Sequence, residues 1–167
     1  DTWNMDPVAL EKAFELYPNT KVIMIVNLYG VPAKYDEICA IAEKHGAVII
    51  EDAAESFGAT YKGKKCGAFG EIATTSFFPA KPLGCYGDGG AIFVDDDELA
   101  SVIRSICVHG KGPRGKYDNV RIGMNSRLDT MQAAILDVKL TAFADYELDE
   151  VNRVAQEYTK HLASTVK

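Results

Sequence analysis

Two short apolar runs flank one amphipathic segment, and this alternation constrains the chain more than any other feature. Residues 21–28 (KVIMIVNL) and 47–51 (AVIIE) are continuous runs rich in β-branched residues. Such runs suit strands buried on both faces, as in a parallel sheet. Between them, residues 34–45 (KYDEICAIAEKH) have helical amphipathic spacing and are followed by Gly46, a helix-ending residue. A strand–helix–strand unit predicts a right-handed crossover and adjacent parallel strands.

The same reading extends along the chain. Residues 7–17 carry Val8, Leu10, Ala13, Phe14 and Leu16 at helical spacing until Pro18-Asn19 breaks the pattern. Residues 72–78 (IATTSFF) and 91–94 (AIFV) read as a third and fourth strand. Residues 96–107 read as a helix opened by acidic residues, which complement its dipole. Residues 53–71, 79–90 and 109–124 read as loops. Residues 128–142 and roughly 145–164 read as two helices, the last pattern running on towards Lys167 without a stop signal. Because the chain opens on Asp1 rather than Met, a piece of a longer protein is expected.

Bulk properties exclude several function classes. Of 167 residues, 47% are hydrophobic and 25% charged, which suits one globular domain. The net charge of −6, with basic residues scattered, argues against nucleic acid as a partner. Cys39, Cys66, Cys85 and Cys107 are widely spaced and form no CxxC pair, a poor zinc set with three scattered histidines. Reduced thiols in a cytoplasmic protein are expected. No apolar run nears 18 residues, so no membrane partner is expected either.

The chemistry-bearing candidates lie beyond the ends of the apolar runs. Asp52 follows Val48-Ile49-Ile50, and ligands of open α/β sheets bind at the carboxyl edge of the strands. A carboxylate there suits a cationic partner such as a protonated pyridine nitrogen; it could equally cap the next segment. Lys81 stands in Ser76-Phe77-Phe78-Pro79-Ala80-Lys81-Pro82-Leu83-Gly84. The flanking prolines restrict where its amine points, and an apolar setting would free that amine for imine formation. The plain alternative is an exposed loop lysine. Ser76 offers a hydroxyl to a phosphate or to its own backbone. Gly87-Asp88-Gly89-Gly90 allows close backbone approach and φ > 0, yet it is neither a GxGxxG fingerprint nor a P-loop. His109 could serve as an acid or base or be a structural loop residue. Asn125 or Ser126 could be a helix N-cap. Cys85 reads as a small buried group. A carboxylate, a hydroxyl and a lysine gathered at one sheet edge would suit a cofactor with a cationic nitrogen, a phosphate and an aldehyde.

These residues also carry a family resemblance. The stretches VNLYGVPAKYDEICAIAEKHG, VIIEDAAESFGATYKGKKCGAFG, SFFPAKPLGCYGDGGAIF and IGMNSRLDTMQAAIL, in this order, resemble the sugar aminotransferases of the DegT/DnrJ/EryC1/StrS group. These belong to the fold-type I, aspartate aminotransferase-like enzymes of pyridoxal 5′-phosphate. The resemblance runs from Lys21 to at least Leu140. It implies an α/β, three-layer, mostly parallel sheet with flanking helices, part of the large domain of such an enzyme. Residues 1–167 would be one domain, the central part, without the N-terminal portion and the C-terminal small domain.

The resemblance implies that Lys81 is the catalytic residue, holding the cofactor as an imine and then shuttling a proton. Asp52 would pair with the pyridinium nitrogen and Ser76 would bind the phosphate. Asn125 would reach the phosphate of a neighbouring subunit's cofactor, so a homodimer is implied. Glu55 stands near the ring hydroxyl, where the family commonly has Gln; a carboxylate there would repel a phenolate oxygen unless one of them is protonated. Relatives that act as deoxysugar dehydratases replace the lysine with histidine; this chain keeps it. The implied reaction is transamination of a sugar nucleotide, a UDP-linked 3-keto sugar with glutamate as amino donor, feeding surface polysaccharide synthesis. The alternative is a truncated or inactive piece that keeps the fold and self-association without catalysis. A Rossmann-like nucleotide module is a third reading, against which no GxGxxG follows a strand.

Overall fold

A computed structural model describes residues 2–115 and 117–165. Asp1, Lys116, Val166 and Lys167 lie outside the described residues, as does the end of the helical pattern expected to run on to Lys167.

The chain enters through helix α1 (Pro7–Leu16), capped by Asp6, whose carboxylate accepts the Ala9 N–H at 2.9 Å. Pro7 sits in the first turn, where its missing N–H costs nothing. Strand β1 (Val22–Val26) and a single 3₁₀ turn (Leu28–Gly30) follow. Helix α2 (Tyr35–His45) ends at Gly46 with φ 62, the left-handed cap its sequence predicts. Strand β2 (Val48–Asp52) pairs parallel with β1 through Val22↔Val48 to Val26↔Asp52. A small hairpin of β3 (Thr60–Tyr61) and β4 (Lys64–Lys65) precedes β5 (Ile72–Ser76). Strand β6 (Gly90–Phe93) and α3 (Asp97–Cys107) come next. Helices α4 (Thr130–Ala142) and α5 (Leu148–Leu162) complete the described chain.

The main sheet has the order β1-β2-β5-β6; the first three strands are parallel and β6 runs antiparallel. This is the α/β, mostly parallel sheet with flanking helices that was expected. The core lies on one face, where Ile23, Ile25 and Ile49 meet Phe14 of α1 and Tyr35, Ile38 and Ala42 of α2. Fully burying an Ile or Phe side chain contributes about 1.5–3 kcal/mol. Phe14 stacks on His45 at 4.1 Å, and Glu11 accepts from both Lys44 and His45, so α1 and α2 hold each other side by side on that face. A second cluster joins Phe77, Leu83 and Cys85 to Leu136 and Phe143.

Four sequence expectations change. The apolar runs are buried on one face only: Val22 and Met24 of β1 are 48% and 59% exposed, because α1 and α2 cover the alternate residues. Asp52 is the last residue of β2 rather than a residue past it. The loop at 53–71 contains the β3–β4 hairpin, turned by Lys62 (φ 49) and Gly63 (φ 83); two consecutive positive φ values match the twist of a two-residue hairpin. The last two helices are one continuous path, joined by a π turn over Phe143–Glu147. That segment holds no Gly or Pro, and Phe143 is buried against Phe57.

Candidate active site at the carboxyl edge of the sheet

Parallel pairing brings the carboxyl ends of β1, β2 and β5 to one edge. The strand period of two then divides the residues there between the faces. Glu51 and Thr75 point to the core, whereas Asp52, Thr74 and Ser76 lie on the opposite face, with Asp52 opposite Thr74. Asp52 is half-buried, and its Oδ1 accepts the Ala54 N–H at 3.0 Å. Ser76 is half-buried too, and its Oγ accepts the Phe78 N–H at 3.2 Å. Each local bond uses part of one side chain. The other Asp52 oxygen and the Ser76 O–H remain able to meet a ligand.

Lys81 is 26% exposed, and its Nζ lies 3.5 Å from Oε1 of Glu55, which is 36% exposed. The Lys81 N–H donates to Phe78 O at 2.8 Å, closing the turn between the two prolines. Gly84 then has no room for a side chain: a Cβ would lie 2.7 Å from Pro79 O and 2.8 Å from Phe78 O. Cys85 is fully buried, its thiol bonded to Phe77 O and Gly87 O. The loop that presents Lys81 is therefore packed against its own backbone.

Glu55 is held from the other side. Its Oε2 accepts the Tyr29 N–H at 2.6 Å. Tyr29 adopts the left-handed φ 56, ψ 23, and a Cβ on Gly30 would meet Glu55 O at 2.9 Å.

Asn125 pairs with Val108 in an isolated bridge, and its Oδ1 accepts from Arg127 at 3.0 and 2.8 Å. It lines a hollow of about 510 Å³ with Thr74, Gly90, Cys107 and Arg127, on the Thr74 face of the sheet. Among the five candidate residues Lys81, Asp52, Glu55, Ser76 and Asn125, the direct contact recorded is Glu55–Lys81. Helix α4 is preceded by Asp129, so neither Asn125 nor Ser126 is its cap. His109 is exposed with φ 59, in a turn where its N–H donates to Met124 O. The glycines at 87, 89 and 90 do not use positive φ; Gly89 and Gly90 instead let Cys85 Sγ and Thr75 O approach, 2.9 and 2.8 Å from where a Cβ would stand.

Residue-by-residue reading missed the polar centre behind this edge. Glu51 is fully buried and accepts from Asn27 Nδ2 (3.0 Å), Tyr35 O–H (2.9 Å), Gly67 N–H (2.7 Å) and Phe69 N–H (2.9 Å). Asn27 also donates to Ser56 Oγ and accepts from Ala33 N–H, and its Oδ1 shares the single Tyr35 O–H proton with Glu51 Oε1. Burial first, then the neighbouring Glu51, pushes the Tyr35 hydroxyl well above the usual phenol range. The available signal was a polar residue at the end of each apolar run, Asn27 and Glu51, at positions an alternating strand turns inward.

Comparison with known proteins identifies the family of this fold. The chain is 56% identical over 157 residues to the UDP-2-acetamido-2-deoxy-3-oxo-D-glucuronate aminotransferase of Pseudomonas aeruginosa, a match covering 94% of this chain and 42% of that protein. The crystal structure of a DegT DnrJ EryC1 StrS aminotransferase from Brucella abortus superposes with a TM-score of 0.92 at 49% identity, covering 100% of this chain and 46% of that one. The crystal structure of S. venezuelae DesV in complex with a ketimine intermediate superposes with a TM-score of 0.88 at 41% identity, covering 98% and 43%. The chain thus spans less than half the length of the relatives it matches. The DegT/DnrJ/EryC1/StrS aminotransferase family matches over residues 1–167, and the chain belongs to that family.

Proposed function

We propose that this chain is the central part of the large domain of an aminotransferase dependent on pyridoxal 5′-phosphate. Its parent moves an amino group from glutamate to a keto sugar carried on a nucleotide. A UDP-linked 3-keto sugar is the favoured substrate, in surface polysaccharide synthesis; the name of the Pseudomonas relative supports that choice. One observation carries the reading: a half-buried lysine, held between two prolines, lies beyond the strand edge that also bears Asp52 and Ser76.

The donor set fits the cofactor. Lys81 offers an amine for the aldehyde, Asp52 an unused carboxylate oxygen for a protonated ring nitrogen, and Ser76 an O–H for a phosphate oxygen. When bound, pyridoxal 5′-phosphate supplies an electron sink that weakens the bonds at an amine-bearing carbon. Lys81 would hold the cofactor and would carry a proton to and from the substrate carbon. Asp52 keeps the ring nitrogen protonated. Ser76 would hold the phosphate end, and Glu55 would meet the ring hydroxyl. Asn125 serves the cofactor phosphate of a second subunit, which makes the parent a homodimer. A cytoplasmic setting is in keeping with four cysteines free of disulfides. Among the described residues no helix is long and apolar enough to cross a membrane.

The test is direct. Adding pyridoxal 5′-phosphate to the folded chain should produce a new near-visible absorbance band that is lost in Lys81→Ala. Absence of the band from folded wild-type chain would refute cofactor binding by this segment. The full-length parent, given glutamate and a UDP-linked 3-keto sugar, should release 2-oxoglutarate; no release would refute transamination. The span of less than half a relative's length favours a second reading, a piece that keeps the fold and self-association without catalysis. A binding-negative, well-folded, dimeric chain would select it.

A further inference from the structure

We propose that Glu55 is the counter-ion that positions Lys81: its carboxylate holds the Lys81 ammonium in place at the strand edge until the amine is drawn to a carbonyl carbon. The proposal rests on the reading of Lys81 as the residue that holds the cofactor.

The geometry prepares Glu55 for one partner. Oε2 is fixed by the Tyr29 N–H at 2.6 Å, which leaves Oε1 facing Lys81 Nζ at 3.5 Å. The backbone around Glu55 cannot drift far. Asn27, fully buried, donates to Ser56 Oγ on one side and accepts the Ala33 N–H on the other. It thereby ties the segment after β2 to the segment after β1. Tyr29 sits in the left-handed region, and Gly30 presses against Glu55 O. A bulky residue held in that conformation is costly and persists where its surroundings enforce it.

The chemistry follows from charge. An ammonium has no lone pair with which to attack a carbonyl, so a lysine nucleophile must first lose a proton. A carboxylate beside the ammonium stabilises the charged form, so Glu55 restrains Lys81 rather than activating it. The separation is slightly longer than a hydrogen bond, and a small side-chain rotation closes it. Glu55 also lines an 850 Å³ hollow with Tyr29, Phe57 and Pro82, and Lys81 itself is 26% exposed, so small reagents can reach its amine from solvent. Glu55–Lys81 is the ion pair recorded for Lys81 among the described residues.

The test needs no cofactor. The folded chain is treated with a sparing dose of a neutral acylating reagent at about pH 8, where most lysines are still charged. Labelling of each lysine is read by peptide mass mapping, with exposed Lys12 and Lys160 as internal references. In Glu55→Gln, which keeps the shape and the acceptor for Tyr29, labelling of Lys81 relative to the references should rise about threefold or more. Glu55→Asp should fall between. The gap should close at strongly alkaline pH, where amines lose the proton unaided; a steric shield would give a gap independent of pH. In wild-type chain, about 1 M salt should raise relative Lys81 labelling by screening the pair. Equal labelling of Lys81 in wild type and Glu55→Gln overturns the proposal. If neither variant folds by circular dichroism, the wild-type salt series decides, and a flat response overturns it. Labelling that rises as expected in a chain that never takes up pyridoxal 5′-phosphate supports the pair and refutes cofactor binding by this segment.

Discussion

Replacing Glu51 with leucine tests whether the buried polar centre holds the site edge together. The side chain is fully buried and anchors two otherwise unpaired amides, Gly67 N–H at 2.7 Å and Phe69 N–H at 2.9 Å. Leucine fills similar space but accepts nothing. Asn27 Nδ2 would still reach Ser56, and the Tyr35 O–H would still reach Asn27. The two amides would have no acceptor, at about 1–3 kcal/mol each. Relief of the buried carboxylate's desolvation offsets part of this, so a loss of about 2–4 kcal/mol is expected. Tyr35→Phe is the matched control. It removes one donor from acceptors that keep other donors, and should lose about 0.5–1.5 kcal/mol. Urea unfolding followed by circular dichroism, with unchanged slope, gives both numbers. A Glu51→Leu chain as stable as wild type, or less perturbed than Tyr35→Phe, would refute the argument that these amides depend on Glu51.

Further outcomes follow from single contacts. Gly84→Ala should destabilise by about 1–3 kcal/mol and cut uptake of pyridoxal 5′-phosphate in the absorbance assay, because its Cβ would meet the backbone of the Lys81 loop. Asp96 accepts the Leu99 N–H at 2.7 Å as the cap of α3, so Asp96→Ala should lose about 1 kcal/mol in a thermal melt. The hydrogen bond from Lys44, then that from His45, holds the Glu11 carboxyl below its ordinary range. A carboxyl lowered by folding stabilises above its unfolded value and loses that contribution as pH falls through the folded value. Glu11→Gln should therefore show a smaller drop in Tm than wild type between neutral pH and about pH 3.

Much of the fold was legible because its signals are local. Gly46 ends α2, Pro18 follows α1, and the two β-branched runs became β1 and β2. The β3–β4 hairpin was not, because Lys62 adopts a positive φ that lysine does not advertise. The join between α4 and α5 was missed for the opposite reason: nothing in Phe143–Glu147 breaks a helix, and burial of Phe143 keeps the path continuous. At the site, Asp52, Ser76 and Lys81 drew notice by position and neighbours. Their local backbone bonds, and the Glu55–Lys81 contact, depend on how three segments meet.

The sequence by itself determined the order of strands and helices, the family and the residue types available at the strand ends. These follow from hydrophobic period, helix-ending residues and motif order, all readable along one dimension. Only the tertiary structure decided which face of each strand is covered, that Asn27 and Glu51 share one buried network, and that Glu55 reaches Lys81. Those facts join residues more than 20 positions apart. They exist only once parallel pairing and the helices of one face have fixed where each strand ends.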